Sequence, residues 1–172
     1  MRQKTVYSLL LIMSLLCSVF VAAAQEQEAM DYSKVVVMQL GNPTALVKGE
    51  KTQIDVQNER VVPLTMQDRT LVPAAFVARA FGAQVWWDGE KETVTISYGD
   101  TLAEMVVGNT QFKLNRQPKP FYMDVTVQVM EDRTMLPLRV VAESILDKRV
   151  FWEEPDLIII GENLPATIDT AV

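Results

Sequence analysis

Short runs of alternating apolar and polar residues fill most of this chain, and two stretches with a period near 3.6 interrupt them. Thr93-Val94-Thr95-Ile96-Ser97-Tyr98 alternates strictly. Together with Val85 to Asp88 and the turn residues Gly89-Glu90-Lys91 it reads as a hairpin with one face buried. Val150 to Glu153, Glu154-Pro155-Asp156 and Leu157 to Ile160 give a second hairpin, whose four consecutive apolar residues predict burial on both faces. Val35 to Leu40, closed by Gly41-Asn42-Pro43, and Leu102 to Val107, closed by Gly108-Asn109, read as further strands ending in turns. Ala45 to Val47, Gln53 to Val56, Phe112 to Leu114 and Phe121 to Val129 add shorter extended pieces.

The helical period falls in Pro73 to Phe81, where Phe76, Val77, Ala80 and Phe81 share a face, and again at Val140, Val141, Ser144 and Ile145. Pro73 and Pro137 suit a first helical turn, where a missing N–H costs nothing. Gly82 provides a left-handed stop for the first helix, whereas Leu146-Asp147 stands in its place after the second, so the two exits must differ.

These pieces come in pairs. Asp68-Arg69-Thr70-Leu71-Val72-Pro73 returns 64 positions later as Asp132-Arg133-Thr134-Met135-Leu136-Pro137. Val77 matches Val141 and Ala78 matches Ala142, while Val85-Trp86-Trp87-Asp88 answers to Val150-Phe151-Trp152-Glu153 with a shift of one residue. The chain therefore reads as a tandem duplication with half-repeats at about 35–98 and 102–161, each burying its apolar face on the other. A residue kept in both copies is explained most simply by a shared structural job. On that reading each Asp and Thr of the repeated string closes a tight turn, with the Arg lying over the sheet edge or pairing locally.

Residues 1–24 read as a signal peptide. Arg2 and Lys4 precede an apolar run from Val6 to Ala23, and Ala22-Ala23-Ala24 offers the small side chains that signal peptidase accepts. The run is long enough to span a bilayer if it stays attached, so retention as a membrane anchor is the alternative. Residues 25–33 are a polar tether, 34–161 the folded domain, and 162–172 a tail without period. Cleavage removes Cys17, the only cysteine, leaving a domain without disulfides or thiol chemistry. It leaves 14 basic against 22 acidic residues, a net of −8 that disfavours nucleic acid and anionic lipid as partners.

With the Asp-Arg-Thr-Leu-Val-Pro string, the Ala-rich helix, Phe81-Gly82-Ala83 and Val85-Trp86-Trp87-Asp88 in place, the chain resembles the copper amine oxidase-like N-terminal domain over about Val35 to Gly161. That resemblance implies an α+β fold, a curled antiparallel β-sheet packed around two short helices. It implies the stalk module found on some copper amine oxidases and, without the oxidase, in many bacterial surface and secreted proteins. It does not imply copper. The chain has no histidine, and neither Tyr32, Tyr98 nor Tyr122 stands in the context of a quinone-forming tyrosine. The scattered methionines read as core filling rather than thioether ligands.

No cofactor is expected, and catalysis finds little footing. Histidine- or thiol-assisted nucleophiles are ruled out by composition, no phosphate-binding glycine loop is present, and nothing in the spacing of Asp68, Asp88, Asp124 and Asp132 selects a glycosidase pair. The aromatics are the better lead. Neighbours on a strand face opposite ways, so Trp87 with Val85, and Trp152 with Val150, are expected inward. Trp86 and Phe151 are then the outward residues, able to stack on a sugar ring or a partner's side chain. The expectation is a secreted, non-catalytic binding or structural module of the cell exterior whose partner is a protein or a cell-wall glycan. The alternative is a wall-polysaccharide hydrolase or a regulator of one.

Overall fold

The computed structural model describes residues 34–162. The signal peptide, all of the tether and all but the first residue of the tail lie outside the described residues. Fourteen strands form, in chain order, β1 (Val36–Gln39), β2 (Thr44–Val47), β3 (Glu50–Gln53), β4 (Leu64–Met66), β5 (Arg69–Pro73), β6 (Gln84–Asp88), β7 (Thr93–Tyr98), β8 (Thr101–Val106), β9 (Gln111–Leu114), β10 (Phe121–Tyr122), β11 (Gln128–Met130), β12 (Arg133–Pro137), β13 (Arg149–Glu153) and β14 (Leu157–Gly161). Helix α1 (Ala74–Ala80) follows β5, and a π-helical segment (Val140–Ile145) follows β12.

The strands are antiparallel and, with only two helical segments among the described residues, fit the curled sheet expected. They divide into a first five-stranded sheet, β13-β14-β1-β2-β3, a second, β10-β9-β8-β7-β6, and a four-stranded third, β11-β12-β5-β4. All named pairings are antiparallel. Each five-stranded sheet takes strands from both parts of the chain: β7 pairs with β8 across the Gly99-Asp100 turn, and β14 returns to pair with β1. In the third sheet β5 pairs with β12 so that Val72 faces Leu136. Those two residues occupy the same place in the two copies of the repeated string.

The core lies between the three sheets and the two helical segments. Met38, Ile158 and Ile160 enter it from the first sheet, Ile96 and Met105 from the second, Val72 and Leu136 from the third, and Val77, Ala78, Val141 and Ala142 from the helical segments. Leu71, Met135 and Val125 form a smaller cluster on the other face of the third sheet. Three residues of the four-residue run in β14 are buried, Ile158, Ile159 and Ile160 all at 5% exposure or less, while Leu157 is half-buried.

Several expectations need correcting. Gln53 to Val56 is not a strand: β3 ends at Gln53, and the Asp55 carboxylate accepts the backbone N–H groups of Gln57 and Asn58 at 2.8 and 3.2 Å, which turns the chain. Phe121 to Val129 is broken into β10 and β11. Pro73 and Pro137 close strands rather than open helices, each as the last residue before the chain bends into its helical turn. Helix α1 turns Ala74, Val77 and Ala78 into the core and leaves Phe76 and Ala80 half-buried, so the expected face is rotated. Small side chains let this short helix sit close to the sheets.

The shift of one residue between the two hairpins has a structural cause. After α1 the N–H of Ala83 donates to the Ala78 carbonyl at 3.0 Å, and Gly82 turns left-handed at φ +87°. After the second segment the N–H of Lys148 donates to the Ala142 carbonyl at 2.8 Å, with Asp147 left-handed at φ +53°. One more residue is enclosed in the second loop, and the wider π-turn accommodates it.

Candidate functional site

The repeated strings build two matching hairpin turns. Met66 faces Arg69 and Met130 faces Arg133, leaving two-residue loops, Gln67-Asp68 and Glu131-Asp132. All four loop residues are left-handed, with φ between +49° and +57°, the conformation of a type I′ turn whose twist suits a hairpin. Thr70 and Thr134 lie one residue further on, within β5 and β12 opposite Thr65 and Val129, rather than in the turns.

The arginines make both a local and a long-range contact. Each folds its Nη1 onto the carbonyl of the Asp before it, at 3.0 Å in both cases, and then reaches into the other part of the chain. Arg69 Nε donates to Asp124 Oδ2 at 2.7 Å, and Arg133 Nε donates to Asp55 Oδ2. The amide of Gln57 and then the Arg133 guanidinium hold Asp55 below the usual carboxylate range. Asn58 and Arg60 both reach Glu131, at 3.1 and 2.8 Å. The repeated strings thus tie together segments that lie far apart in the chain.

An open groove of about 1320 Å³ lies between β3 and the following loop on one side and β6 on the other, with α1 contributing Phe76, Arg79 and Ala80 to its lining. Trp86 and Trp87 both line it, and so do Val56, Asp132 and Arg133. Both tryptophans are about half exposed, Trp86 at 50% and Trp87 at 51%. The inward burial expected of Trp87 is therefore wrong in depth, although the register puts it on the face predicted. Trp87 stands opposite Val94, which stands opposite Met105, and both of those are buried. Because β6 is the sheet's edge strand, the Trp87 ring overhangs the groove beyond the rim of the core, with its Nε1 over Gly89. Trp152 repeats the pattern on the edge strand β13: it faces the buried Ile158 and is still 43% exposed.

Phe151 does not join Trp86. It lies on β13 beside a separate hollow of about 410 Å³, half-buried, with the Arg149 guanidinium 5.1 Å from its ring centroid. Nor do the carboxylates converge. Asp124 is tied to Arg69, and Asp88 is tied to Lys91 at 2.8 Å, that contact and the Lys91 amide holding it below its ordinary value. Among the described residues no three acidic, histidine or cysteine side chains gather as a metal would require, and no buried side-chain polar atom lacks a partner.

One residue escaped sequence reasoning altogether. Lys148 is buried at 7% exposure, its Nζ 2.8 Å from Glu162 and 5.0 Å from the centroid of the Tyr98 ring. Burial alone pushes its pKa down, but Glu162 and Tyr98 outweigh that and raise it. Nothing near Lys148 in the chain marks it, because Tyr98 reaches it through the fold.

The arrangement defines a small β-rich domain with an aromatic-walled open groove and with Asp88 and Asp124 each tied to a basic side chain. The chain belongs to the copper amine oxidase N-terminal domain family, whose model matches residues 57–160. β1 to β3 precede that match, so it is shorter at its start than the resemblance suggested, yet β1 lies at the centre of the first sheet. No curated protein matches the chain.

Proposed function

We propose that this protein is an exported, non-catalytic binding module of the cell exterior, and that the groove beside α1 and β6 is its binding surface. The observation that carries the reading is the pair of half-exposed tryptophans on the groove's margin. Large aromatic rings left in water at an open apolar groove give up burial energy that a sugar ring or a partner side chain would recover. The groove exceeds the size of a typical small-molecule pocket and is open, which suits a polymer or a protein segment. In copper amine oxidases this domain is a non-catalytic stalk, consistent with binding rather than chemistry. Export rests on the basic start, apolar run and Ala22-Ala23-Ala24 of the N-terminal segment.

The same reading takes the domain as two fused half-repeats. Support comes from the matching hairpin turns, the reciprocal arginine clamps and the pairing of Val72 with Leu136.

Binding is tested by co-sedimentation of the chain from Gln25 onward with insoluble cell-wall material. Trp86→Ala and Trp87→Ala are each expected to weaken retention at least about tenfold if the rings form the platform. Retention unchanged in both variants, or release of soluble reducing sugar by the wild type, would overturn this reading. Export is tested by the N-terminal mass of the protein recovered outside the producing cell, expected to begin at Gln25.

A further inference from the structure

We propose that β13 is a self-complementary edge through which two copies of this chain pair, antiparallel and centred on Phe151. This inference stands independently of the groove. β13 bounds the first sheet, so among the described residues one side of its backbone has no strand partner, and such an edge pairs readily with another chain unless it is guarded.

The side chains of β13 suit a twofold axis through Phe151. An antiparallel copy sets Arg149 against Glu153, Val150 against Trp152 and Phe151 against itself, and the first two pairs occur twice. Every one is of a favourable cross-strand kind: opposite charges, β-branched with aromatic, aromatic with aromatic. The faces agree as well. Val150 and Trp152 lie on the core-side face, opposite Ile160 and Ile158, while Arg149, Phe151 and Glu153 lie on the other. Among the described residues the Glu153 carboxylate has no hydrogen bond or ion pair of its own. The Arg149 guanidinium is held over the Phe151 ring on the same face.

The other edges do not fit in this way. β13 alone among the six edge strands carries opposite charges at its two ends. β6 would set Asp88 against the uncharged Gln84. β10 is two residues long, between Pro120 and an irregular segment, and β3 would set Glu50 against Gln53. Charge complementarity therefore selects a second copy of β13 as the occupant of the β13 edge.

Sedimentation velocity on the chain from Gln25, which contains all of the described residues 34–162, tests this. The wild type is expected to shift from monomer to dimer between about 1 and 200 µM, the range of a short strand-pairing interface. Arg149→Glu and Glu153→Arg each set like charges opposite one another and are expected to stay monomeric. An equimolar mixture of the two variants is expected to restore dimer, because every facing pair is then opposite in sign, and so is the double exchange R149E/E153R in a single chain.

A cross-link removes dependence on these variants folding well. The chain from Gln25 has no cysteine, and facing residues of an antiparallel pair sit within disulfide reach. Phe151→Cys is expected to oxidise to a covalent dimer at least about tenfold faster than a Trp86→Cys control. A wild type still monomeric at 200 µM, single variants that dimerise like wild type, or cross-linking no faster than the control would each overturn the proposal.

Discussion

Replacing Gln67-Asp68 with Asn-Gly should stabilise the domain, and so should replacing Glu131-Asp132. In both loops two non-glycine residues are held at φ between +49° and +57°. An L-residue pays about 1 to 2 kcal/mol for the left-handed region, and Asp somewhat less because its short side chain tolerates it. Glycine removes that strain but gives back about 0.5 to 1 kcal/mol through the freedom it adds to the unfolded chain. The net gain is about 0.5 to 1 kcal/mol per hairpin, or about 2 to 4 °C in midpoint for a domain of this size. The two turns lie at opposite ends of the antiparallel β5–β12 pair, so the gains should add. Calorimetry of both exchanges and their combination is the assay. Asp68 and Asp132 make no side-chain hydrogen bond or ion pair among the described residues, which is why losing them should cost nothing. A loss of about 1 kcal/mol or more from either exchange would refute the reasoning and show that the repeated aspartates do more than shape the turn. Asp132 lines the groove and Asp68 does not, so each hairpin controls for the other.

Other outcomes follow from the same geometry. Trp86→Ala and Trp87→Ala should each cost about 2 kcal/mol in denaturant melts, because about half of each ring of roughly 200 Å² leaves water on folding; a cost of about 4 kcal/mol for Trp87 would return it to the core. The fragment 35–98 should give collapsed, poorly dispersed amide resonances, since it loses β14 beside β1, β8 beside β7 and β12 beside β5; a sharp monomeric spectrum would contradict this. The lowered Asp55 pKa contributes stability that is present above the ordinary aspartate value of 3.8 and lost as pH falls below it toward the folded-state value. Arg133→Ala should therefore flatten the stability profile in that acid window, and an unchanged profile would exclude the contact as its source. Dialysis against a chelator should leave the thermal midpoint where it was, and a rise of several degrees on adding copper would refute that.

What the sequence made legible was local. Strict alternation marked β7, the β-branched run marked β1, and the repeated string marked two equivalent segments. Register along β6 followed from Val85 and Trp87 sharing a face. Depth did not, because whether an inward residue is covered depends on what lies beyond the edge strand, and that is set by β3, α1 and the Asp55 turn together. The arginine partners were hidden for a related reason: Arg69 and Asp124 are 55 residues apart, and Arg133 and Asp55 are 78. The shift between the hairpins was visible as a shift, but only the bond from Lys148 to Ala142 locates the extra residue in the second helical exit. Short extended pieces were the least secure, since a carboxylate that caps a turn, as Asp55 does, overrides β-propensity at no cost to the composition that suggested a strand.

The pairing of β1 with β14 has a mechanical consequence. These strands run antiparallel with Val36 opposite Ile160 and Gln39 opposite Leu157, so the chain enters and leaves the domain at the same end of the first sheet. Tension between whatever precedes Val36 and whatever follows Gly161 would therefore load one residue pair at a time, peeling the two strands like a zipper instead of shearing them as a block. Resistance at any instant is that of a single pair. A domain attached in this way hangs from its neighbours as a pendant, presenting its far end outward, and yields first at its own seam when it is pulled.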